Sequence, residues 1–311
     1  MHPNKIQHFN LPKRIIVVAG PTASGKTALA IDVALHFKTE ILSSDSRQCY
    51  RELNIGVAKP SPAELNTVPH HFINSHSIQQ KVDAAVFEQY ALETLSKLFE
   101  VHDTVVVVGG TGLYIKALCE GLDKMPEVPG GIRDWVRAGY ERNGLGWLQE
   151  ELQQRDPVYF KTGEMLNPHR VMRALEFFLA TGKSIKEFQK GMPVERPFDI
   201  LKIALTLPAD TLTNRINNRV DEMMKLGLAE EVKSLLPYHE LQALQTVGYK
   251  ELFDHFNGLS SLDAAVEFIK RSTRQYAKRQ LTWFNKDPAF EWFAPVEREA
   301  ILKYLESRIG N

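Results

Sequence analysis

Cysteine is scarce in this 311-residue chain: only Cys49 and Cys119 occur, too few for a disulfide framework or a cysteine-rich zinc site. That agrees with a reducing compartment, and both cysteines read as packing residues. No apolar run approaches the roughly 20 residues that a membrane span needs, and the opening MHPNKIQHFNLPKR has no apolar middle of the kind a signal peptide carries. The expectation is a cytoplasmic protein with no membrane contact and a loose N-terminal tail. Net charge is missing as well. Lys plus Arg and Asp plus Glu stand at 38 each, so any nucleic-acid binding must come from charges gathered on one face. Internal repeats and low-complexity segments are absent too.

What is present begins with Gly20-Pro21-Thr22-Ala23-Ser24-Gly25-Lys26-Thr27, a match to G-x-x-x-x-G-K-[ST] directly after the apolar run Ile15 to Val18. Strand, glycine-rich loop and helix follow in the order of a phosphate-binding loop. Its backbone N–H groups form a concave anion site, and the helix starting near Lys26 adds its positive dipole end. Lys26 supplies a point charge, and the Thr27 hydroxyl suits Mg2+. The motif is that of nucleotide-binding and ATP-binding proteins, yet it does not say which phosphoester is held or what becomes of it.

The first part of the chain alternates short β-branched runs with helical stretches. Ile15 to Val18, Glu40 to Ser43 and Thr104 to Val108 read as strands; Lys26 to His36 and Asp83 to Glu100 read as helices. This predicts an α/β fold with a P-loop, doubly wound parallel sheet core, and with 43% hydrophobic residues the chain can build a sizeable one. From about Leu122 the texture changes: Met125 to Gly131 is a Pro/Gly linker, and helices follow with no convincing strand until Ile200 to Leu205. The expected organisation is a first core part at 1–122, a helical insertion domain at 123–197, and core completion with C-terminal helices at 198–311. A long helix from Leu262 to about Asn285 carries Lys270, Arg271, Arg274, Lys278 and Arg279 with Tyr276, Trp283 and Phe284 interleaved. Such a basic face is as readily a solvated surface as a nucleic-acid-binding one, and the aromatics read as core.

Asp45 follows a strand inside Ser43-Ser44-Asp45-Ser46-Arg47-Gln48, at the same sheet edge as the phosphate loop. A carboxylate there can cap a turn, bind metal or accept a proton, and the shared edge favours chemistry. Thr111 closes Gly109-Gly110-Thr111-Gly112 after a central strand, where it can face a ligand or simply close a turn. That strand does not end in the acid a hydrolytic metal site would supply, which argues against an ATPase. Arg215 and Arg219 lie one helical turn apart, as phosphate clamps or as partners of Asp221 and Glu222. His70 and His71 lack a spaced third ligand and read as structural or substrate-contacting.

The strings GPTASGKT, SSDSRQCY, NIGVAKP, VPHHF, VVGGTGLYIKAL, NPHRVMRALE, QTVGYKEL and TRQYAKRQLTWF occur in this order over nearly the whole chain, which closely resembles the bacterial tRNA dimethylallyltransferase family. The resemblance implies transfer of a dimethylallyl group from dimethylallyl diphosphate to N6 of adenosine 37, in tRNAs that read codons beginning with U. It implies that the phosphate loop, Gly20 to Thr27, holds the allylic diphosphate with Mg2+ at Thr27. It assigns catalysis to Asp45 as general base, with Thr111 and Arg219 stabilising charge. It assigns tRNA contacts to Asp45, Ser46, Arg47, Gln48, Thr111 and Arg133, then to His169, Arg170, Val171, Met172 and Arg173, and to Gln245, Thr246, Val247, Gly248, Tyr249 and Lys250. The partners are then tRNA and dimethylallyl diphosphate, the cofactor Mg2+, and the working unit a monomer. Val57 and Asn74 depart from the family's frequent Thr and Asp, and the zinc finger that eukaryotic relatives append does not occur. Three rivals are a small-molecule kinase, a prenyltransferase of free adenine nucleotides, and a nucleic-acid-binding switch with weak NTPase activity.

Overall fold

The structure is a computed structural model that describes residues 12–189 and 191–309. Residues 1–11, most of the stretch read as a loose tail, lie outside the described residues. The elements run β1 (Arg14–Ala19), α1 (Lys26–His36), β2 (Ile41–Ser43), α2 (Pro62–Thr67), β3 (His70–His71), α3 (Ala84–Leu98), β4 (Thr104–Val108) and α4 (Gly112–Glu120). Then come α5 (Gly130–Arg155), α6 (Pro157–Thr162), α7 (Pro168–Thr181), β5 (Asp199–Leu205), α8 (Ala209–Lys225) and α9 (Leu228–Ser234). The chain closes with α10 (Tyr249–Phe256), α11 (Leu262–Phe284), β6 (Phe290–Phe293) and α12 (Arg298–Ile309).

The six strands among the described residues pair in parallel, in the order β3-β2-β4-β1-β5-β6. The central strands carry β-branched side chains and are buried along their whole length in β1 and β4, which a sheet covered on both faces requires. One face packs Ile16, Val18, Val106, Val108, Ile203 and Leu205 against α1 and α12. Elsewhere an aromatic cluster joins α3, α4 and Phe72, with Phe87 stacked on Tyr114 at 4.6 Å and Phe72 edge-on to Phe87 at 5.0 Å. The edge strands β3 and β6 are short and gave no usable pattern in the sequence. The central pair β1 and β4 is where the phosphate loop and the Gly109-Gly110 turn emerge side by side, the ligand-binding edge of a doubly wound sheet.

Packing divides the chain into two units, Met1–Cys119 with Glu195–Asn311, and Glu120–Val194. The second unit is helical among its described residues and has its own core, in which α5 packs on α7 through Val136, Leu148, Leu152, Val171, Leu175 and Phe177. Asp156 caps α6 through the Tyr159 amide at 2.9 Å, and Asn167 caps α7 through the Arg170 amide at 3.3 Å. α5 is broken at Gly144, whose φ of 75° lies in the left-handed region.

The sheet-bearing unit closes on itself through Arg196. Its Nε donates to the Leu118 carbonyl at 2.8 Å, and its Nη2 donates to the Ala117 carbonyl at 2.7 Å and to Glu88 Oε1 at 2.5 Å. The guanidinium thus satisfies two carbonyls at the end of α4 and neutralises a half-buried carboxylate on α3. Removing it would leave Glu88 without its partner. Arg196→Ala is expected to cost about 3–5 kcal/mol of stability in denaturant unfolding; a loss within about 1 kcal/mol, the range of a surface pair, would contradict this role.

Candidate active site

α1 begins without a side-chain cap. Gly25 precedes it at φ 97°, a conformation that favours glycine, and the first helical bond is Leu29 N to Gly25 O at 3.2 Å. The first-turn amides are therefore open to an anion. Lys26 folds back over them, its Nζ donating to the Pro21 carbonyl at 2.6 Å. Burial lowers the Lys26 pKa to about 7, Arg219 pushes in the same direction, and Asp45 opposes it. Arg219 is itself lowered, first by burial and then by Arg215, with Glu64 opposing. Two cations are thus held in a desolvated place, an arrangement that a bound polyanion stabilises.

These groups line a cavity of about 680 Å³ at the ends of β1 and β4. Its wall carries Lys26, Arg47, Arg219, Lys250 and Arg279 against Asp45, Glu251 and Asp254, an excess of positive charge. Asp45 divides its work between its two oxygens. Oδ1 accepts from the amides of Arg47 at 2.8 Å and Gln48 at 3.2 Å, closing the turn; Oδ2 has no hydrogen-bond partner among the described residues. The two readings of an aspartate at a strand end, turn former and chemical group, are therefore compatible here. Thr27 lines the same cavity. No group of three or more His, Cys, Asp or Glu side chains that could hold a metal occurs among the described residues. The donor set instead suits Mg2+ held by the Thr27 hydroxyl together with phosphate oxygens and water.

The cavity brings together Thr22, Lys26, Thr27, Asp45 to Gln48, Arg219, Gln245 to Gly248, and Lys250. Thr111 stands behind it. Its hydroxyl accepts from the Ser46 amide at 3.1 Å and pairs with Tyr276, whose pKa burial and then the Asp45 charge push up to about 12. Tyr249 is 0% exposed and so is Val171, so neither side chain offers surface to RNA. In the helical unit, His169 and Arg170 are exposed, and Arg133, Arg137 and Arg173 act electrostatically on Glu176, whose pKa burial raises against them.

Arg215 and Arg219 are not the partners of the acids that follow them: Asp221 pairs with Lys270 at 2.8 Å and Glu222 with Lys225 at 2.7 Å. Arg215 instead reaches the Ser24 carbonyl at 3.5 Å. Part of the basic face of α11 fastens that helix to α8, since Lys270 takes Asp221 and Arg274 donates to Asn217 Oδ1 at 2.6 Å. Of its aromatics, Phe284 is core, Tyr276 lines the cavity and Trp283 is exposed over Gly112. His71 pairs with Glu40 at 2.6 Å, and His70 Nδ1 lies 2.7 Å from the Val68 carbonyl.

Gln280 escaped the sequence analysis. This buried amide accepts from the Thr22 amide at 2.8 Å and donates to the Gly110 carbonyl at 2.8 Å, joining the phosphate loop to the turn after β4. A Cβ at Gly110 would sit 2.1 Å from the Gln280 amide nitrogen, so only glycine admits the bridge. The sole signal was its place in the string TRQYAKRQLTWF, whose helical context made it look like one more polar residue.

Comparison with known proteins agrees with this architecture. Residues 48–287 match the sequence pattern of the family described as IPP transferase. The tRNA dimethylallyltransferase of Christiangramia forsetii is 47% identical over 298 residues, covering 96% of this chain and 99% of its own. That of Cytophaga hutchinsonii is 43% identical over 297 residues, covering 96% and 98%. The full-length tRNA isopentenylpyrophosphate transferase of Bacillus halodurans superposes with a TM-score of 0.72 at 31% identity, over 96% of this chain and 97% of that one. A eukaryotic dimethylallyltransferase described as acting on tRNA superposes with a TM-score of 0.71 at 28% identity, over 87% and 69%.

The Lys26 environment has a measurable sign. In the free protein Lys26 titrates near pH 7, and a bound anion raises that value, so binding above pH 7 takes up a proton and weakens as pH rises. Calorimetry with inorganic diphosphate at pH 8, in buffers of differing ionisation enthalpy, should show uptake of about one proton per site that Lys26→Met abolishes. Because the folded value lies well below that of an ordinary lysine, the buried charge strains the free protein below pH 7, and the strain fades as pH rises above it. Lys26→Met should accordingly raise Tm at pH 6.5 in the absence of ligand. Equal proton uptake by the two proteins would contradict the burial of this lysine.

Proposed function

Because the chain belongs to the IPP transferase family, whose named relatives are tRNA dimethylallyltransferases, we propose that it transfers a dimethylallyl group from dimethylallyl diphosphate to N6 of adenosine 37 in tRNAs reading codons that begin with U. The observation that carries this reading is the free Oδ2 of Asp45 in the same cavity as Lys26 and Arg219. One wall then manages a leaving diphosphate and the other a proton. The lone pair of an adenine amino group is delocalised into the ring, so N6 is a poor nucleophile. As N6 attacks the allylic carbon and the carbon–oxygen bond to diphosphate breaks, Asp45 Oδ2 takes the amino proton.

Lys26, Arg219 and the open amides of α1 receive the charge that develops on the departing diphosphate, and a desolvated site makes each of them count for more than it would in water. Mg2+ bound with Thr27 would neutralise part of the same charge. The glycine-terminated end of β4 supports the use of diphosphate as a leaving group, since hydrolysis of an NTP calls for an acid to hold metal and orient water. An adenine in a stacked loop cannot reach Asp45, so the base is flipped out, at a cost of a few kcal/mol. Ser46, Arg47, Gln48 and the segment from Gln245 to Lys250 are suited to receive it. Arg133, His169, Arg170 and Arg173 supply charge and hydrogen bonds for the RNA in the helical unit. One chain carries Lys26, Asp45 and Arg219 together, which supports action as a monomer, and a tRNA substrate supports action in the cytoplasm.

Asp45→Ala should lower kcat on an anticodon stem-loop by about 10²–10⁴-fold, the range of a lost general base, with dimethylallyl diphosphate affinity changed by less than about threefold, under about 0.7 kcal/mol. Modified adenosine is read by nucleoside mass spectrometry and affinity by calorimetry. Turnover close to wild type would remove Asp45 as the base.

A further inference from the structure

Glu231, on α9, accepts four hydrogen bonds. Its Oε2 takes the amides of Asn54 at 3.2 Å and Ile55 at 2.8 Å; its Oε1 takes the Gly56 amide at 3.2 Å and the Tyr249 hydroxyl at 2.6 Å. Tyr249 lies at the start of α10, is 0% exposed, and its ring sits so close to Gly56 that a Cβ there would come within 2.6 Å of it. Four donors converge on one side chain, and only an acceptor-only group satisfies all of them.

The segment so held is a wall of the cavity. Gly56, Val57 and Ala58 line it on one side, and Gln245 to Gly248, which lead into Tyr249, line it on another. The first wall is tied on to the chemistry through Gln48. Its Nε2 donates to the carbonyls of Val57 at 3.3 Å and Ala58 at 3.0 Å, and its amide donates to Asp45 Oδ1 at 3.2 Å. A continuous path of hydrogen bonds and backbone thus leads from Tyr249 through Glu231 and the 54–58 loop to the carboxylate of Asp45. The phosphate loop is braced separately, through Gln280.

We infer that Glu231 and Tyr249 form a positioning clamp that fixes the spacing of the two walls between which the purine enters, and with it the aim of Asp45. This rests on the reading of the cavity given above and deepens it. Tyr249, which family resemblance groups with the tRNA contacts, then acts on tRNA through its grip on Glu231 rather than by touching RNA. The clamp acts on the RNA side of the reaction and leaves the diphosphate side alone.

The test uses the full-length chain with Glu231→Gln, which keeps the shape but turns an NH2 toward donors, and Tyr249→Phe, which removes one hydroxyl and leaves the three amides held. For Glu231→Gln the amides of residues 54–56 should exchange at least about tenfold faster and the KM for an anticodon stem-loop should rise at least about tenfold, each equivalent to about 1.4 kcal/mol. The Kd for dimethylallyl diphosphate should stay within about twofold. Tyr249→Phe should raise the RNA KM about threefold with the same unchanged Kd, and decides the matter alone should Glu231→Gln not fold. An RNA KM at the wild-type level in the folded variants overturns the clamp, as does a loss in which RNA KM and diphosphate Kd rise while Tm falls, the mark of a merely structural contact. Wild-type protein that modifies no RNA at all overturns the functional reading, and the purine clamp with it; normal wild-type activity with indifferent variants overturns the clamp alone.

Discussion

Lys26 and Arg219 line one desolvated pocket, and burial is the first cause that lowers the pKa of each; the Arg219 charge lowers Lys26 further against Asp45, and the Arg215 charge lowers Arg219 further against Glu64. A folded protein keeps such a pair only where something else over-determines their positions. Here the backbone does so. Lys26 opens the helix that must follow β1, and Arg219 lies on α8, whose Leu212, Ile216 and Val220 are buried. The free site therefore stores unfavourable charge that a bound polyanion would relieve.

The sheet explains why Asp45 and the glycine-rich loop meet. In a parallel sheet all strands end at one edge, so loops after β1, β2 and β4 converge without any special device. Lys26 comes from the first, Asp45 from the second, and Gly110 from the third. The specific work falls to side chains that stitch these loops together: Gln280 between the first and third, Thr111 and Ser46 between the third and second, Gln48 and Glu231 along the outer wall. The chemistry needs few residues, and the bracing that aims them needs more.

Much of this was legible in the chain. Ile15 to Val18 and Thr104 to Val108 are runs of β-branched residues that suit a doubly covered strand, and the helix from Lys26 to His36 falls where the glycine-rich loop puts it. Glu40 to Ser43 and Ile200 to Leu205 are strands within a residue of where the sequence put them. The edge strands β3 and β6 stayed hidden because two and four residues, respectively, are too short to show a period. The site was half legible. A motif points to the glycine-rich loop and the shared edge to Asp45, but Gln280 and Glu231 join segments 170 to 258 residues away along the chain, which no local pattern encodes. Local spacing also left open the partners of Arg219 and the fate of the basic face on α11, since the acids that compete for them are chosen by helix packing rather than by sequence distance.

The central claim is that this phosphate loop holds a leaving group rather than a nucleotide to be hydrolysed. Its most direct test counts products in one vessel containing the protein, Mg2+, dimethylallyl diphosphate, ATP and an anticodon stem-loop. The account predicts one diphosphate released for each adenosine prenylated, with ATP untouched. ATP consumed while the stem-loop remains unmodified would contradict it.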